Sequence, residues 1–386
     1  MAIHNLSLEI ITPVHVGMGR EKNYIKGLDF IYNKAQGIYT ILLSDKLLSS
    51  LSGSEIGAVS SFLSNGAFDK FNEYVKNKKL LSDEMFSYKW PSQYECNDEI
   101  KRHIQDGLGH WLIPGSSLKG SIRGILLSHL YNNSGQHGAI NEKALLGDIE
   151  NNLMRFIQIS DCVLNTTPGI YPVKIFSADP NNEGRWKHQR NGGHRNDFNS
   201  KDFVTYYEML NDGVNSEPTS GEFRISFGNW GGDNFLFDKK RNEIPNLSKI
   251  FGHNGESSIR QLIKMIKQHT DNFLEKEIKF FENYANSALT NDTFFDELRW
   301  LKKENMREEK SCLLRLGANE GWHSITGDWK FDSFISATEN NRNNLNGRMQ
   351  KAYKTRKIVF DWKPDGNDDI ERFVLPGFVK ISHKNN

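Results

Sequence analysis

The sequence predicts an α+β protein in which helices pack on one face of an antiparallel sheet. The apolar segments of the first half are short and rich in β-branched residues, and their order is strand, hairpin, helix, helix, strand. In the second half, a long segment with helical periodicity is followed by a shorter one and then by short apolar strands. These observations fit such a sandwich better than a doubly wound parallel sheet.

Alternation of polar and apolar residues defines the first strand, because His4, Leu6, Leu8 and Ile10 share one face. Residues 76–109 are polar and irregular, and we treat them as an insertion. The other elements predicted in the first half are strands at 28–32 and 38–43, a helix from residue 44 or 45, helices over 56–75 and 117–131, and a strand at 156–163.

The second half is predicted to begin near residue 165, and residues 179–200 are rich in Asn, Gly, Arg and His, which predicts a loop. Its predicted elements are strands at 204–210 and 221–227, a helix from 257 or 258 to 284, a helix over 293–303, and strands at 312–316, 358–362 and 373–381. At about 150 residues per domain, the length of 386 residues corresponds to two or three units. We expect one domain over 1–164 and a second over 165–386.

The charges nearly cancel, since 49 basic and 48 acidic residues leave a net charge of +1. This balance excludes a uniformly basic coat for nucleic acid and leaves room for a local basic groove. No segment approaches the roughly 20 apolar residues of a membrane span, and the N-terminus lacks a secretory pattern, so we expect a cytoplasmic protein. The three cysteines form no CxxC pair, and we predict neither a disulfide framework nor a metal site.

The most informative motif is a predicted helix start with the sequence Pro114-Gly115-Ser116-Ser117-Leu118-Lys119-Gly120-Ser121-Ile122-Arg123-Gly124. Ser116 or Ser117 is the expected N-cap. Lys119 then lies in the first turn, where the helix dipole favours an anion. Arg123 follows four residues later on the same face, and a like-charge pair there costs about 0.2–0.5 kcal/mol.

Gly120 and Gly124 add to this cost, since each is less favourable than alanine by about 1 kcal/mol in a helix interior. A phosphate at the helix start would reverse the electrostatic cost, because free N–H groups, Lys119 and Arg123 would all face it. The glycines would let a ribose or a backbone approach closely. A solvated helix start is the alternative, and the residues leave both interpretations open. The motif is not a Walker A loop, because the lysine precedes the glycine.

Two further glycine segments could contact a ribose–phosphate chain. The candidate residues of the early segment, which follows the first strand, are His15, Gly17, Gly19 and Arg20. The candidate residues of the late segment are Gly317, Trp322 and His323. A strand end with His15 on a sheet face, and a hairpin turn with Trp322 in the core, are equally ordinary explanations.

A run of basic residues without an acid lies between residues 340 and 360. Its candidates for phosphate contact are Lys351, Lys354 and Arg356, and Tyr353 is available for stacking. Such a run is also typical of a solvated loop.

Taken together, these segments resemble the RAMP superfamily of CRISPR proteins, which are built from ferredoxin-like folds of the RNA-recognition-motif type. Within it, the resemblance is to the subunits that cap the 3′ end of the guide RNA in type III-A Csm effector complexes, the fifth Csm subunit. The segments that carry the resemblance are 12–19, 29–32, 113–123, 159–161, 206–210, 316–326 and 375–377.

The resemblance implies two ferredoxin-like RAMP domains with insertions and a subunit that binds crRNA without chemistry or a cofactor of its own. It implies that the Lys119 segment and the early glycine loop contact the RNA backbone with little dependence on base sequence. The implied partners are the 3′ region of the crRNA and the repeating RAMP backbone subunit. The small helical subunit and host trimming nucleases are further candidates, in a role that supports crRNA maturation and antiviral defence.

Two other functions stay open at this point. Some RAMP relatives cut the guide precursor with a histidine as general acid or base, and His15 would be that residue here. A scaffold that recruits nucleases and touches little RNA is the second. Asp29 lies near the position of a catalytic aspartate in related backbone subunits, and we interpret it as a turn or strand-end residue.

Overall fold

A computed structural model of the chain describes residues 2–19, 22–78, 82–92, 94–97, 99–135, 141–178, 184–189, 193–211, 218–228, 243–251, 255–284, 289, 292–317, 355–362 and 370–384. The strands are β1 (Ala2–Ile10), β2 (Tyr24–Ile25), β3 (Phe30–Asn33), β4 (Ile38–Leu42), β5 (Phe86–Pro91), β6 (Glu99–Lys101), β7 (Trp111–Ile113), β8 (Ile157–Ile159), β9 (Cys162–Leu164), β10 (Gly169–Ala178), β11 (Gly184–Lys187), β12 (His194–Arg195), β13 (Thr205–Met209), β14 (Ser220–Phe227), β15 (Ser311–Arg315), β16 (Thr355–Trp362), β17 (Ile370–Val374) and β18 (Phe378–His383). The helices are α1 (Ser44–Ser49), α2 (Gly53–Ser64), α3 (Phe68–Asn77), α4 (Gly115–Asn132), α5 (Glu142–Leu146), α6 (Leu247–Ile250), α7 (Gly255–Tyr284) and α8 (Asp292–Arg307), with short 3-10 helices at Asp83–Met85 and Leu153–Phe156.

The first sheet is antiparallel, and β1 lies in its interior. Within the described residues its seven strands have the order β15-β18-β1-β14-β9-β7, with β8 also paired to β14. Leu6 of β1 is opposite both Phe223 of β14 and His383 of β18. Along the chain, β1, α4, β8 with β9, β14, α7 and β18 give a β-α-β-β-α-β succession, with α4 and α7 packed against this sheet.

The core lies between this sheet and its two helices. Leu6, Leu8 and Ile10 of β1 are at most 2% exposed, as their alternation predicts. Leu262 and Ile266 of α7 belong to the same apolar cluster. Burial of each such aliphatic side chain is worth about 1.5–3 kcal/mol, which explains why α7 lies along the sheet.

The second sheet is mixed, and α7 reaches it as well. Its eight strands within the described residues have the order β12-β11-β10-β13-β6-β2, with β16 on β10 and β17 on β16. Only β13 and β6 pair in parallel among these strands. Phe176 of β10 contacts Phe281 of α7 with ring centroids 5.8 Å apart. The 30 residues of α7 extend for about 45 Å at 1.5 Å per residue, so this one helix spans both sheets.

A third, smaller sheet has the order β3-β4-β5 and carries α1, α2 and α3 over a separate apolar cluster. Its strand β5 comes from the segment 76–109, which the sequence presented as an irregular insertion. β6 comes from the same segment and pairs with β2 and β13. The expectation of irregular structure is therefore wrong for these residues, which form parts of two sheets, and their assignment as an insertion stays a prediction.

Glycines with positive φ interrupt two predicted elements. The predicted helix over 56–75 is two helices, and Gly66 between them has a φ of +64°. The predicted strand over 373–381 is also two, and Gly377 between them has a φ of +105°. Glycine adopts this conformation without the strain that a side chain would introduce, so the chain turns at both points.

The strand pairing does not follow the predicted boundary between residues 164 and 165. β1, from the predicted first domain, pairs on one side with β14 and on the other with β18, both from the predicted second domain. The first sheet is thus a joint product of both halves. In the part of the chain that the structure describes, no helix is long and apolar enough to cross a bilayer.

Candidate nucleic-acid interface

Hydrogen bonds join four motif segments that lie far apart in the sequence, around the ends of β1 and β15 and the start of β18. They are the turn after β1, the start of α4, the residues that follow β15, and the connection between β17 and β18. We call this region the motif corner, and its segments are 13–17, 115–124, 315–317 and 375–377.

Main-chain hydrogen bonds hold the motif corner together. The Gly377 N–H donates to the Pro13 carbonyl at 3.0 Å, and the Leu316 N–H donates to the Gly377 carbonyl at 2.8 Å. The Ser121 hydroxyl of α4 donates to the Arg315 carbonyl at 3.1 Å. The early glycine loop, the start of the late one and α4 are therefore fixed relative to one another.

Two of the predicted site glycines in these segments are required by packing. Gly317 has a φ of +101°, and a Cβ there would lie 2.5 Å from the carbonyl oxygen of His15. A Cβ on Gly115 would lie 2.3 Å from the carbonyl oxygen of Ile159. Both distances are far below van der Waals contact, so these glycines allow close approach of one backbone to another.

The start of α4 differs from the prediction in its capping. The helix begins at Gly115 with Pro114 as N-cap, so neither Ser116 nor Ser117 caps it. The Gly115 N–H donates to the Asp161 carboxylate at 2.7 Å. This acidic residue satisfies the first helical donor and the helix dipole. The prediction that free N–H groups await a phosphate is therefore wrong at Gly115.

Along its exposed side, α4 presents an open stripe of small residues. Ser116, Gly120 and Gly124 recur every four residues, so they lie along one side of the helix. A Cβ on Gly120 or Gly124 would meet no atom of the described residues within 4 Å apart from its chain neighbours and the surrounding backbone of α4. Packing among the described residues therefore does not account for these two glycines, and within them the stripe leaves the helix surface open to a close neighbour.

The predicted cations flank this stripe. Lys119 is half-buried, and burial lowers the pKa of its amino group. Arg123 is exposed and donates to the Glu142 carboxylate at 2.7 Å, with side-chain exposures of 44% and 42%. Exposed pairs of this kind contribute about 0–1 kcal/mol, so an anionic ligand can exchange with Glu142 at little cost.

His15 lies inside the protein. Its side chain belongs to a residue only 4% exposed, and Nδ1 lies 2.8 Å from the carbonyl oxygen of Glu208. The ring also contacts Tyr207 edge-on, with centroids 5.0 Å apart. Burial lowers the pKa of His15 to about 4. The imidazole therefore holds the turn onto β13. The assignment of His15 to RNA contact requires a ring that faces an external ligand, and this ring does not.

The rest of the early loop is placed as follows. Gly17 pairs with His103, and a Cβ on Gly17 would lie 3.1 Å from Nε2 of His15. Gly19 has a φ of +102° with open space around it. The predicted contacts Arg20, Trp322, His323, Lys351 and Lys354 lie outside the described residues.

Arg356 is not on the surface, which corrects its assignment to a phosphate-binding arm. The residue is 3% exposed, and its guanidinium donates to both oxygens of the Glu277 carboxylate at 2.6 and 2.8 Å. It also lies over the ring of Phe280, 3.9 Å from the centroid. Both charges are thus taken up in a bidentate pair that joins β16 to α7.

Asp29 has the turn role that the sequence indicated. Its two carboxylate oxygens accept from the Ser44 hydroxyl at 2.8 Å and from the Ile25 N–H at 2.9 Å. The carboxylate therefore joins the turn before β3 to the start of α1.

The structure also shows a basic groove that the sequence analysis did not single out. It runs along α7 and has a volume of about 710 Å³. We call it the α7 groove; its cationic lining residues are Arg260, Lys264, Lys267 and Lys310. The spacing of Arg260, Lys264 and Lys267 in a helical segment was the signal that could have found it.

Comparisons with known proteins add the following. A model of the RAMP superfamily matches residues 7–331. A chain of a solved structure, described as a Csm–crRNA–target RNA ternary complex in a type III-A CRISPR-Cas system, is 15% identical with a TM-score of 0.65, and the match covers 99% of this chain and 100% of that one. The crystal structure of Csm5 from T. onnurineus is 14% identical with a TM-score of 0.59, over 92% of this chain and 97% of that one. No curated protein sequence matches.

Proposed function

Because the chain belongs to the RAMP superfamily, we propose that it is a non-catalytic crRNA-binding subunit of a type III-A CRISPR Csm complex. In this role it caps the 3′ end of the guide and supports crRNA maturation in antiviral defence. The observation that carries the proposal is the motif corner, where four separate segments converge beside an open helix surface flanked by Lys119 and Arg123.

The topology supports a ferredoxin-like unit. The succession β1, α4, β8 with β9, β14, α7 and β18 has the spatial order 4-1-3-2 of that fold when its strands are numbered along the chain. We propose that the first sheet is one such unit, assembled across the whole chain. A second ferredoxin-like domain stays a prediction for the second sheet.

The RNA path that fits best runs over the stripe of Ser116, Gly120 and Gly124. A ribose–phosphate chain can approach these small residues closely, while Lys119 and Arg123 supply charge on one side. Contacts of this kind position the RNA without reading its bases. Sequence specificity would then come from pairing between guide and target.

The proposed partners follow from the same assignment. They are the 3′ region of the crRNA and the repeating RAMP backbone subunit, with the small helical subunit and trimming nucleases as further candidates. The fold that this protein shares with a chain of a Csm–crRNA–target RNA complex supports crRNA and other Csm subunits as its partners.

The geometry of His15 favours binding over cleavage. A general acid or base must come within hydrogen-bond reach of the proton that it transfers. His15 is buried against Glu208 and Tyr207, and its pKa, lowered to about 4 by burial, keeps the ring neutral at pH 7. Cleavage of precursor RNA by the purified protein would contradict the non-catalytic part of the proposal.

The first test uses bulk on the open stripe. Gly120→Leu adds a side chain at a position where a Cβ would meet no atom of the described residues within 4 Å beyond its own stretch of α4, so the fold should tolerate it while the RNA path is blocked. We expect less guide RNA in complexes purified by co-expression. Gly57→Leu on α2 is the matched control, since Gly57 is also helical with open space around it.

The charge test is Lys119→Ala with Arg123→Ala. For single-stranded RNA, each phosphate contact that the substitutions remove should reduce the slope of log K against log salt by about 0.7. Lys70→Ala with Lys76→Ala on α3 controls for net charge. Equal RNA content and equal salt slopes in the stripe, charge and control variants would contradict the proposed interface.

A further inference from the structure

Three side chains of types that can ligate a metal come from three elements and meet at one end of the first sheet. His4 comes from β1, His383 from the end of β18, and Glu256 from the first turn of α7. One ligand atom of each residue lies within 4.8 Å of the others. The Nδ1 atom of His4 and Oε2 of Glu256 are 3.9 Å apart, and the two histidine rings have centroids 5.3 Å apart.

His4 is out of place as a packing residue. It occupies the inward face of β1 together with Leu6 and Leu8, and it is 9% exposed. Its Nε2 atom is buried and has no hydrogen-bond partner among the described residues. A buried polar atom without a partner costs roughly 1–3 kcal/mol, so a sequence shaped by packing alone would favour an aliphatic residue here.

We propose that His4, His383 and Glu256 form a binding site for one Zn²⁺ ion. Two imidazoles and a carboxylate are a known ligand set for zinc, with bonds of about 2.0–2.2 Å and a fourth position open to water. Tetrahedral ligands at that bond length are about 3.4 Å apart. Closure from the observed separations therefore needs side-chain shifts of about 1 Å, which rotamer adjustments of Glu256 and His383 can supply.

The surroundings suit such a site. Oε1 of Glu256 accepts from the Arg260 guanidinium at 3.0 Å, and Oε2 is the oxygen that lies towards His4. Hydrogen bonds from neighbouring groups to the ligating side chains orient those side chains towards the metal. His383 and Arg260 also line the α7 groove, so an ion has a route from solvent.

The proposed ion would have a structural effect that can be measured. It would join the start of β1, the end of β18 and the start of α7. A ligand that binds only the folded state raises the free energy of unfolding by RT ln(1 + [L]/Kd). Zinc should therefore raise the thermal midpoint of the full chain.

The experiment titrates the full-length protein, stripped with a chelator and dialysed, with ZnCl₂ in a calorimeter. We expect one ion per chain and a rise in the thermal midpoint. Co²⁺ should give visible absorption of a tetrahedral site.

Glu256→Gln is the first variant because Glu256 is exposed and its loss leaves the core intact. It should weaken Zn²⁺ binding at least tenfold, because loss of a partner that only orients a ligand already weakens metal binding by about 10–100-fold.

The matched control is His110→Gln, which removes an exposed histidine beside Asp106 in the turn before β7. It should leave the stoichiometry and the midpoint shift unchanged. His383→Gln should act as Glu256→Gln does. Failure of the wild type to bind Zn²⁺ at micromolar concentration, or equal binding by wild type and Glu256→Gln, would overturn the proposal.

Discussion

At the scale of single residues, the buried carboxylate of Glu208 on β13 is held in place by several hydrogen bonds. It accepts hydrogen bonds from the Tyr88 hydroxyl at 2.6 Å, from the His103 N–H at 2.8 Å and from the Tyr24 hydroxyl at 3.1 Å. Burial outweighs these bonds and raises the pKa of Glu208 to about 7. The network joins β2, β5 and β13 around the turn that contains His15.

The two histidines next to Glu208 respond to pH in the opposite direction. Burial lowers the pKa of His15 to about 4 and that of His103 to about 3. Between about pH 4.5 and 6.5, the unfolded chain binds more protons at both histidines, and the folded chain binds more at Glu208. Two contributions therefore make stability fall on acidification, and one opposes them.

We predict that Glu208→Gln steepens this acid destabilisation. The substitution removes the single opposing proton, so the loss of unfolding free energy on lowering the pH from about 6.5 to about 5 should grow by up to about 1.4 kcal/mol per pH unit. Urea unfolding at several pH values measures it. Glu73→Gln, an exposed glutamate on α3, is the control. Parallel pH profiles for Glu208→Gln and wild type would contradict the assigned protonation of this network.

At the scale of an element, α4 contains glycines with opposite requirements. Gly115 is pressed against the Ile159 carbonyl, whereas Gly120 has open space. The sequence motif made the two glycines look alike, since nothing in the local pattern shows what another segment brings close. The glycine motif therefore predicted the region where segments converge. It did not show which of its glycines are required by packing inside the protein and which face open space.

We predict opposite signs for alanine at these positions. Gly115→Ala should destabilise the protein by about 1–3 kcal/mol, because the new Cβ must displace the backbone at Ile159. Gly120→Ala should stabilise it by about 0.5–1 kcal/mol, as expected for a solvent-facing helical glycine. Chemical unfolding of both variants decides the matter, and equal effects would refute this assignment of roles.

Local periodicity was sufficient for elements such as β1, β14 and α7, whose bounds differ from prediction by a few residues. It failed for Arg356. The charge run suggested an exposed arm, but burial depends on Glu277, 79 residues earlier. A buried ion pair requires a partner that no local window contains, so its location could not be predicted from the run itself.

At the scale of the whole molecule, β1 determines how the halves combine. It lies between β14 and β18, so the first sheet requires strands from both ends and from the middle of the chain. Sequence length and composition suggested two consecutive domains, because neither carries information on which distant strands pair. The same limit applies to the motif corner, where Gly317 meets His15 across most of the sequence.

We predict that fragments 1–164 and 165–386 do not fold separately. In the first, β1 loses both neighbours, and in the second the interior of the sheet is left unpaired along β14 and β18. Circular dichroism and urea titration of each fragment should show no cooperative transition, whereas co-expressed fragments should co-purify. A cooperative transition in fragment 1–164 alone would contradict this interleaved assembly.

The long helix α7 has a mechanical consequence. It contacts β1 and β15 of the first sheet, and the Glu277–Arg356 pair joins its C-terminal part to β16 of the second sheet. A rotation of one sheet against the other would have to bend this helix or break that pair. The helix is thus a stiff connection between the two sheets, and a torque applied to either sheet is transmitted to the other.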